Sequence, residues 1–137
     1  MAVMAGAKVC PIPTSPEEGY HYADRAKIET LINEKTRAIL CTSPGNPTGC
    51  VLTREEMRMI MDIAKEHNLF LLADEAYREF VYEGQGLMSF GEFEDGAENV
   101  VILDTVSKRF SACGARIGQF NKFTLTYPVP IGTSLIT

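Results

Sequence analysis

The 137-residue chain is 45% hydrophobic, 23% charged and 9% aromatic, the composition of one folded domain and not of a disordered or fibrous chain. Its formal net charge of −5, from 13 basic against 18 acidic side chains with no basic run, excludes an electrostatic footprint for nucleic acid or an anionic membrane. Cys10, Cys41, Cys50 and Cys113 form no C-x-x-C pair and read as reduced, mostly buried thiols without a metal; with no basic leader and no apolar run of spanning length, the expected compartment is the cytosol.

In chain order, residues 8–13 come first, with Val9 and Ile12 in proline-punctuated text that predicts an edge strand ending in T-S-P-E-E-G. Ile28, Leu31 and Ile32 predict a helix over residues 24–32, with Asp24 as its N-cap. Residues 37–42, R-A-I-L-C-T, predict a strand buried on both faces that turns sharply at S-P-G-N-P-T-G.

Thr53 and Glu56 spell a capping box, and Met57, Ile60, Met61 and Ala64 fall at i, i+3, i+4 and i+7, so a helix follows, with His67 at its C-terminal end. Residues 69–73, L-F-L-L-A, predict a second buried strand that delivers Asp74 and Glu75 at its carboxyl end, where open parallel sheets place their ligands. Residues 99–106 predict a third, followed at once by S-K-R-F. This alternation argues for an α/β fold with a mostly parallel sheet flanked by helices. The text from Gln119 onward has no clear periodicity and supports no assignment.

Three predicted strands thus end in three polar loops, N-P-T-G at 46–49, D-E-A-Y at 74–77 and S-K-R-F at 107–110, and A-R-I-G follows at 115–118. Taken singly, each residue has a plain reading. Asn46 suits a turn, Asp74 a helix cap, Tyr77 a half-buried aromatic, Lys108 a solvated surface and Arg116 an ion pair at the core edge. His21 reads as a surface or packing residue.

Together with P-T-S-P-E-E-G-Y-H-Y, these motifs resemble the class I/II aminotransferases, fold-type I pyridoxal-phosphate enzymes related to aspartate aminotransferase, over roughly residues 6–118. The resemblance implies a partial cofactor-binding large domain at residues 1–118, with a divergent tail at 119–137. It implies pyridoxal 5'-phosphate as cofactor, amino acid and 2-oxo acid substrates, and a homodimeric family. By the same resemblance Lys108 is the Schiff-base lysine that also shuttles the α-proton, and Asp74 faces the pyridine nitrogen. Asn46 and Tyr77 match the residues that hydrogen-bond the phenolic oxygen, and Ser107 and Arg116 those that hold the phosphate. Lys108, Asp74 and Tyr77 form the implied catalytic set.

Gly114 and Gly118 are expected to let backbone approach closely or turn freely, Asn46–Pro47 is a candidate cis peptide, and Glu75 is a structural neighbour. Arg78 and Arg109 are expected on solvated faces. Related lyases, decarboxylases and cyclopropane-forming synthases share the motifs. Family members run to about three times this length, so the resemblance also implies that the ring-stacking aromatic, the neighbouring subunit's residues and the small domain lie outside this stretch. A non-catalytic fragment, at most binding cofactor or associating with other chains, is therefore the second expectation.

Overall fold

The computed structural model describes residues 3–82, 84, 86, 88–96 and 98–122. Four strands, β1 (Ala38–Thr42), β2 (Phe70–Asp74), β3 (Val100–Thr105) and β4 (Gly118–Lys122), form one sheet in that spatial order. The first three are parallel, with Thr42 opposite Asp74 and Asp74 opposite Leu103, so their carboxyl ends share one edge. β4 returns antiparallel to β3, with Thr105 opposite Gly118. The chain therefore has the mostly parallel α/β sheet that its alternation predicts.

Three helices accompany the strands: α1 (Arg25–Leu31), α2 (Arg54–Glu66) and the single turn α3 (Val106–Arg109). α1 starts where Asp24 accepts the Lys27 N–H at 3.1 Å. α2 starts with both halves of the capping box: Thr53 Oγ1 accepts from Glu56 N at 3.1 Å and Glu56 Oε2 accepts from Thr53 N at 2.7 Å. His67 stands at its C-cap.

α2 turns Met57, Ile60, Met61 and Ala64 onto the sheet residues Cys41, Leu71, Ala73, Val100 and Ile102, and Ile28, Leu52, Phe90 and Phe93 close the same cluster. Each such large side chain stabilises the fold by about 1.5–3 kcal/mol when fully buried. This core holds the strand ends in register behind the polar loops.

The strands differ from expectation in being covered on one face. Successive side chains alternate across a sheet, so Cys41, Leu71 and Ala73 meet α2 while Leu40 and Phe70 point the other way and remain 63% and 49% exposed. Residues 8–13 form no strand, and Val9 is exposed; Pro11 and Pro13 lack the N–H groups a ladder needs. Cys41 and Cys50 are buried as expected, whereas Cys10 and Cys113 are exposed. β4 carries the sheet past Gly118, and residues 123–137 of the expected tail lie outside the described residues. Among the described residues no helix is long and apolar enough to cross a membrane, and no cluster of side chains could hold a metal ion.

Candidate active site

The loop after β1 is tied down before it reaches Asn46. Ser43 N–H bonds Asp74 O at 3.2 Å across the sheet, and the buried Ser43 Oγ accepts the Leu52 N–H at 3.0 Å. Ser43–Pro44 and the expected Asn46–Pro47 are both cis. Asn46, at the exposed tip, donates Nδ2 to Tyr77 Oη at 3.0 Å. In that bond the tyrosine oxygen is the acceptor, so its own proton stays available to another group.

Asp74 closes β2 half-buried, and its Oδ1 accepts the Ala76 N–H at 3.1 Å, an Asx turn that starts the loop toward Tyr77. Its second carboxylate oxygen makes no hydrogen bond among the described residues. The Tyr77 ring packs edge-on against Phe80 with centroids 5.8 Å apart, and Lys108 Nζ stands 5.3 Å from the Tyr77 centroid, within cation–π range. Loops from three strands thus bring Asn46, Tyr77 and Lys108 together.

After β3, Thr105 Oγ1 accepts from Ser107 N at 3.1 Å and donates to Ile117 O at 3.0 Å, so one hydroxyl both caps α3 and pins the far end of the 105–117 loop. Arg116 sits in that loop, exposed, in the left-handed region at φ 52°, and has no ion pair among the described residues. The core-edge pairing open to it in the sequence is not what it makes. Ser107 and Arg116 share the loop, with no hydrogen bond between them among the described residues.

Residues 1–121 match the family described as aminotransferase class I and II. The chain belongs to that family. It is 35% identical to aromatic-amino-acid aminotransferase 2 of Thermococcus litoralis over 85% of this chain and 30% of that protein. With the aspartate aminotransferase of Musicola paradisiaca the identity is 36%, over 86% of this chain and 29% of that protein. Among solved structures, the aromatic aminotransferase from Pyrococcus horikoshii superposes with a TM-score of 0.80 at 32% identity, over 87% of this chain and 31% of that one. The aspartate aminotransferase of Thermotoga maritima gives 0.81 at 30% identity, over 88% and 32%. The chain spans about 30% of the length of the curated relatives it matches.

In this member of the family, two arginines expected on solvated faces are not there. Arg78 is 22% exposed and Arg109 26%, because Asp104 draws both inward: its Oδ2 lies 2.8 Å from Arg109 Nη2 and 3.7 Å from Arg78 Nη2. Arg78 Nη1 also reaches Glu75 Oε2 at 3.3 Å, and Arg109 Nε approaches Glu79 Oε1 at 3.0 Å. Asp104 is not among the expected site residues, although an acid inside the apolar run V-V-I-L-D-T signals a partner elsewhere.

Glu75 is a structural neighbour, as expected, and it is fully buried. Burial pushes its carboxyl above the usual range, against the opposing effect of Ser89 Oγ and Phe90 N, which donate to Oε1 at 3.0 and 2.9 Å, and of Arg78. Of the two roles expected of Gly114 and Gly118, free turning is not used, since neither has a positive φ and Ser111 and Arg116 take the left-handed positions. Close approach is found at Gly118, where a Cβ would stand 3.4 Å from the Asp104 carbonyl oxygen.

Proposed function

We propose that this chain forms the cofactor-binding part of a pyridoxal-phosphate-dependent aminotransferase, moving an α-amino group from an amino acid to a 2-oxo acid. The observation that carries the reading is the meeting of the Lys108 amine with the Asn46–Tyr77 pair, at the sheet edge that also bears Asp74. The donor set fits the cofactor group by group. Among the described residues, the unbonded oxygen of Asp74 suits a ring N–H, the free Tyr77 proton and the second Asn46 amide proton suit a phenolic oxygen, and the unpaired Arg116 with Ser107 suits a phosphate.

When bound, pyridoxal phosphate supplies an electron sink that stabilises negative charge at the substrate α-carbon. Lys108 would hold the cofactor aldehyde through its amine, and as a free amine its Nζ would take the substrate α-proton and return it on the far side of the transferred nitrogen. Asp74 keeps the ring nitrogen protonated, because a carboxylate beside it favours the charged form. Tyr77 and Asn46 hold the phenolic oxygen and so orient the ring against Lys108. Aspartate and aromatic amino acids, named for the relatives, are the first donors to test. The free state of the four cysteines agrees with a cytosolic enzyme.

The test is a difference absorbance spectrum on adding pyridoxal phosphate, followed by borohydride reduction and mapping of the labelled lysine. A visible band lost in Lys108→Ala and kept in Lys27→Ala and Lys35→Ala supports the site. No band from a folded sample, or a band that survives Lys108→Ala, defeats it. A second reading, that the isolated chain binds cofactor without turnover, is favoured by Leu40 and Phe120, 63% and 79% exposed, and by the share of its relatives that it spans. Conversion of the band by aspartate or phenylalanine separates the two.

A further inference from the structure

We infer that Asp104, Arg109, Arg78 and Glu79 are positioning residues that fix where the Lys108 amine stands over Tyr77, an inference that rests on reading those two as working groups of the site. Each working residue is followed in sequence by an arginine bound to the other's segment. Arg78, next to Tyr77, reaches Asp104 at the end of β3, and Arg109, next to Lys108, reaches Glu79 in the Tyr77 loop. Asp104 completes the crossing with Arg109 at 2.8 Å, while its Oδ1 accepts the Thr105 N–H at 2.7 Å.

A lysine on a four-carbon stem has no single resting place over a ring unless the backbone at both ends is held. Guanidinium forks can hold two carboxylates at once, which a lysine ammonium does poorly. The brace is partly buried, with Asp104 13% and Arg109 26% exposed, so water screens it less than a surface pair. It lies beside Tyr77 and Lys108 and, among the described residues, forms no side-chain hydrogen bond or ion pair with either.

The test uses the cofactor-free full chain and formaldehyde with cyanoborohydride, reading the methylation rate of Lys108 by mass spectrometry against exposed Lys35 in the same sample. Glu79→Gln and Arg109→Met are each expected to raise the Lys108 rate by roughly three-fold, the factor that a partly exposed ion pair sustains. In a Tyr77→Leu background the same substitutions should add nothing further, because the brace then has no ring contact to preserve. A purely structural role moves the thermal midpoint and leaves this coupling at zero. An unchanged Lys108 rate in Glu79→Gln, or equal increases with and without Tyr77, overturns the proposal. Glu79 is half-exposed, so that variant decides the matter even where Arg109→Met does not fold. Failure of the cofactor reading shows separately, as a wild-type chain that gives no visible band yet retains the coupling.

Discussion

Asn46 and Tyr77 lie 31 positions apart, yet the amide of one donates to the hydroxyl of the other at 3.0 Å, joining the loops after β1 and β2. The direction of this bond matters, because it fills a tyrosine lone pair and spares the tyrosine proton. In the proposed site, Tyr77→Phe therefore removes the donor assigned to the phenolic oxygen. With less charge drawn from the cofactor's phenolic oxygen, the neighbouring nitrogen keeps its proton to higher pH, and the midpoint of the visible band should rise by about one pH unit. Stability should change by no more than about 0.5 kcal/mol, since Asn46 is exposed and water replaces its partner. Spectral titration and urea unfolding measure the two effects.

Glu75 behaves in the opposite way, supporting the loop without touching the reacting groups. Glu75→Ala should cost about 3 kcal/mol, because it strands the Phe90 N–H, the Ser89 hydroxyl and the Arg78 guanidinium around a buried gap. Its pH dependence has a definite sign. The folded carboxyl is held above its ordinary value, so its contribution is greatest in acid and falls as pH rises through the raised value. The advantage of wild type over Glu75→Gln in urea unfolding should shrink across that rise.

Much of this was legible in the sequence because the signals were local. The Thr53 and Glu56 capping box and the i, i+3, i+4, i+7 apolar series marked α2, and three short apolar runs marked the parallel strands and so the edge that carries Asp74 and Lys108. What was illegible depended on neighbours. A five-residue apolar run reads alike whether one face is covered or both, which is why Leu40 was expected inside. β4, G-Q-F-N-K, has no apolar alternation and is held by pairing with β3. Arg78 and Arg109 look like solvated charges until the fold brings Asp104 between them.

Asp95 supplies an acid-sensitive clamp on the outer side of α2. Arg58 grips its two oxygens at 2.8 and 2.7 Å and Lys65 adds a bond at 3.0 Å, holding the carboxyl at about 2, below its ordinary 3.8. A depressed carboxyl contributes stability that is complete above the ordinary value and lost as pH falls toward the folded one. Asp95→Asn should therefore flatten the acid limb of the stability curve between about pH 4 and about pH 2. Because the groups are exposed, added salt should shrink the difference. Chemical denaturation at stepped pH and salt reads both.

In the proposed site, Arg116 sets backbone strain against phosphate binding. At φ 52° a side chain crowds the following carbonyl at a cost of about 1–2 kcal/mol, which glycine avoids while losing roughly 0.5–1 kcal/mol of chain entropy. Arg116→Gly should thus be stabilising by about 0.5–1 kcal/mol, a gain forgone in the native chain. The same substitution removes the guanidinium assigned to the phosphate. Affinity for pyridoxal phosphate should fall at least about ten-fold, the loss of one charge-assisted pair, while affinity for pyridoxal, which lacks the phosphate, stays within about two-fold. Paired titrations with the two aldehydes, beside a urea curve, decide it. A variant that gains stability and loses both ligands equally would move Arg116 out of the phosphate site and leave its strained backbone without a functional reason.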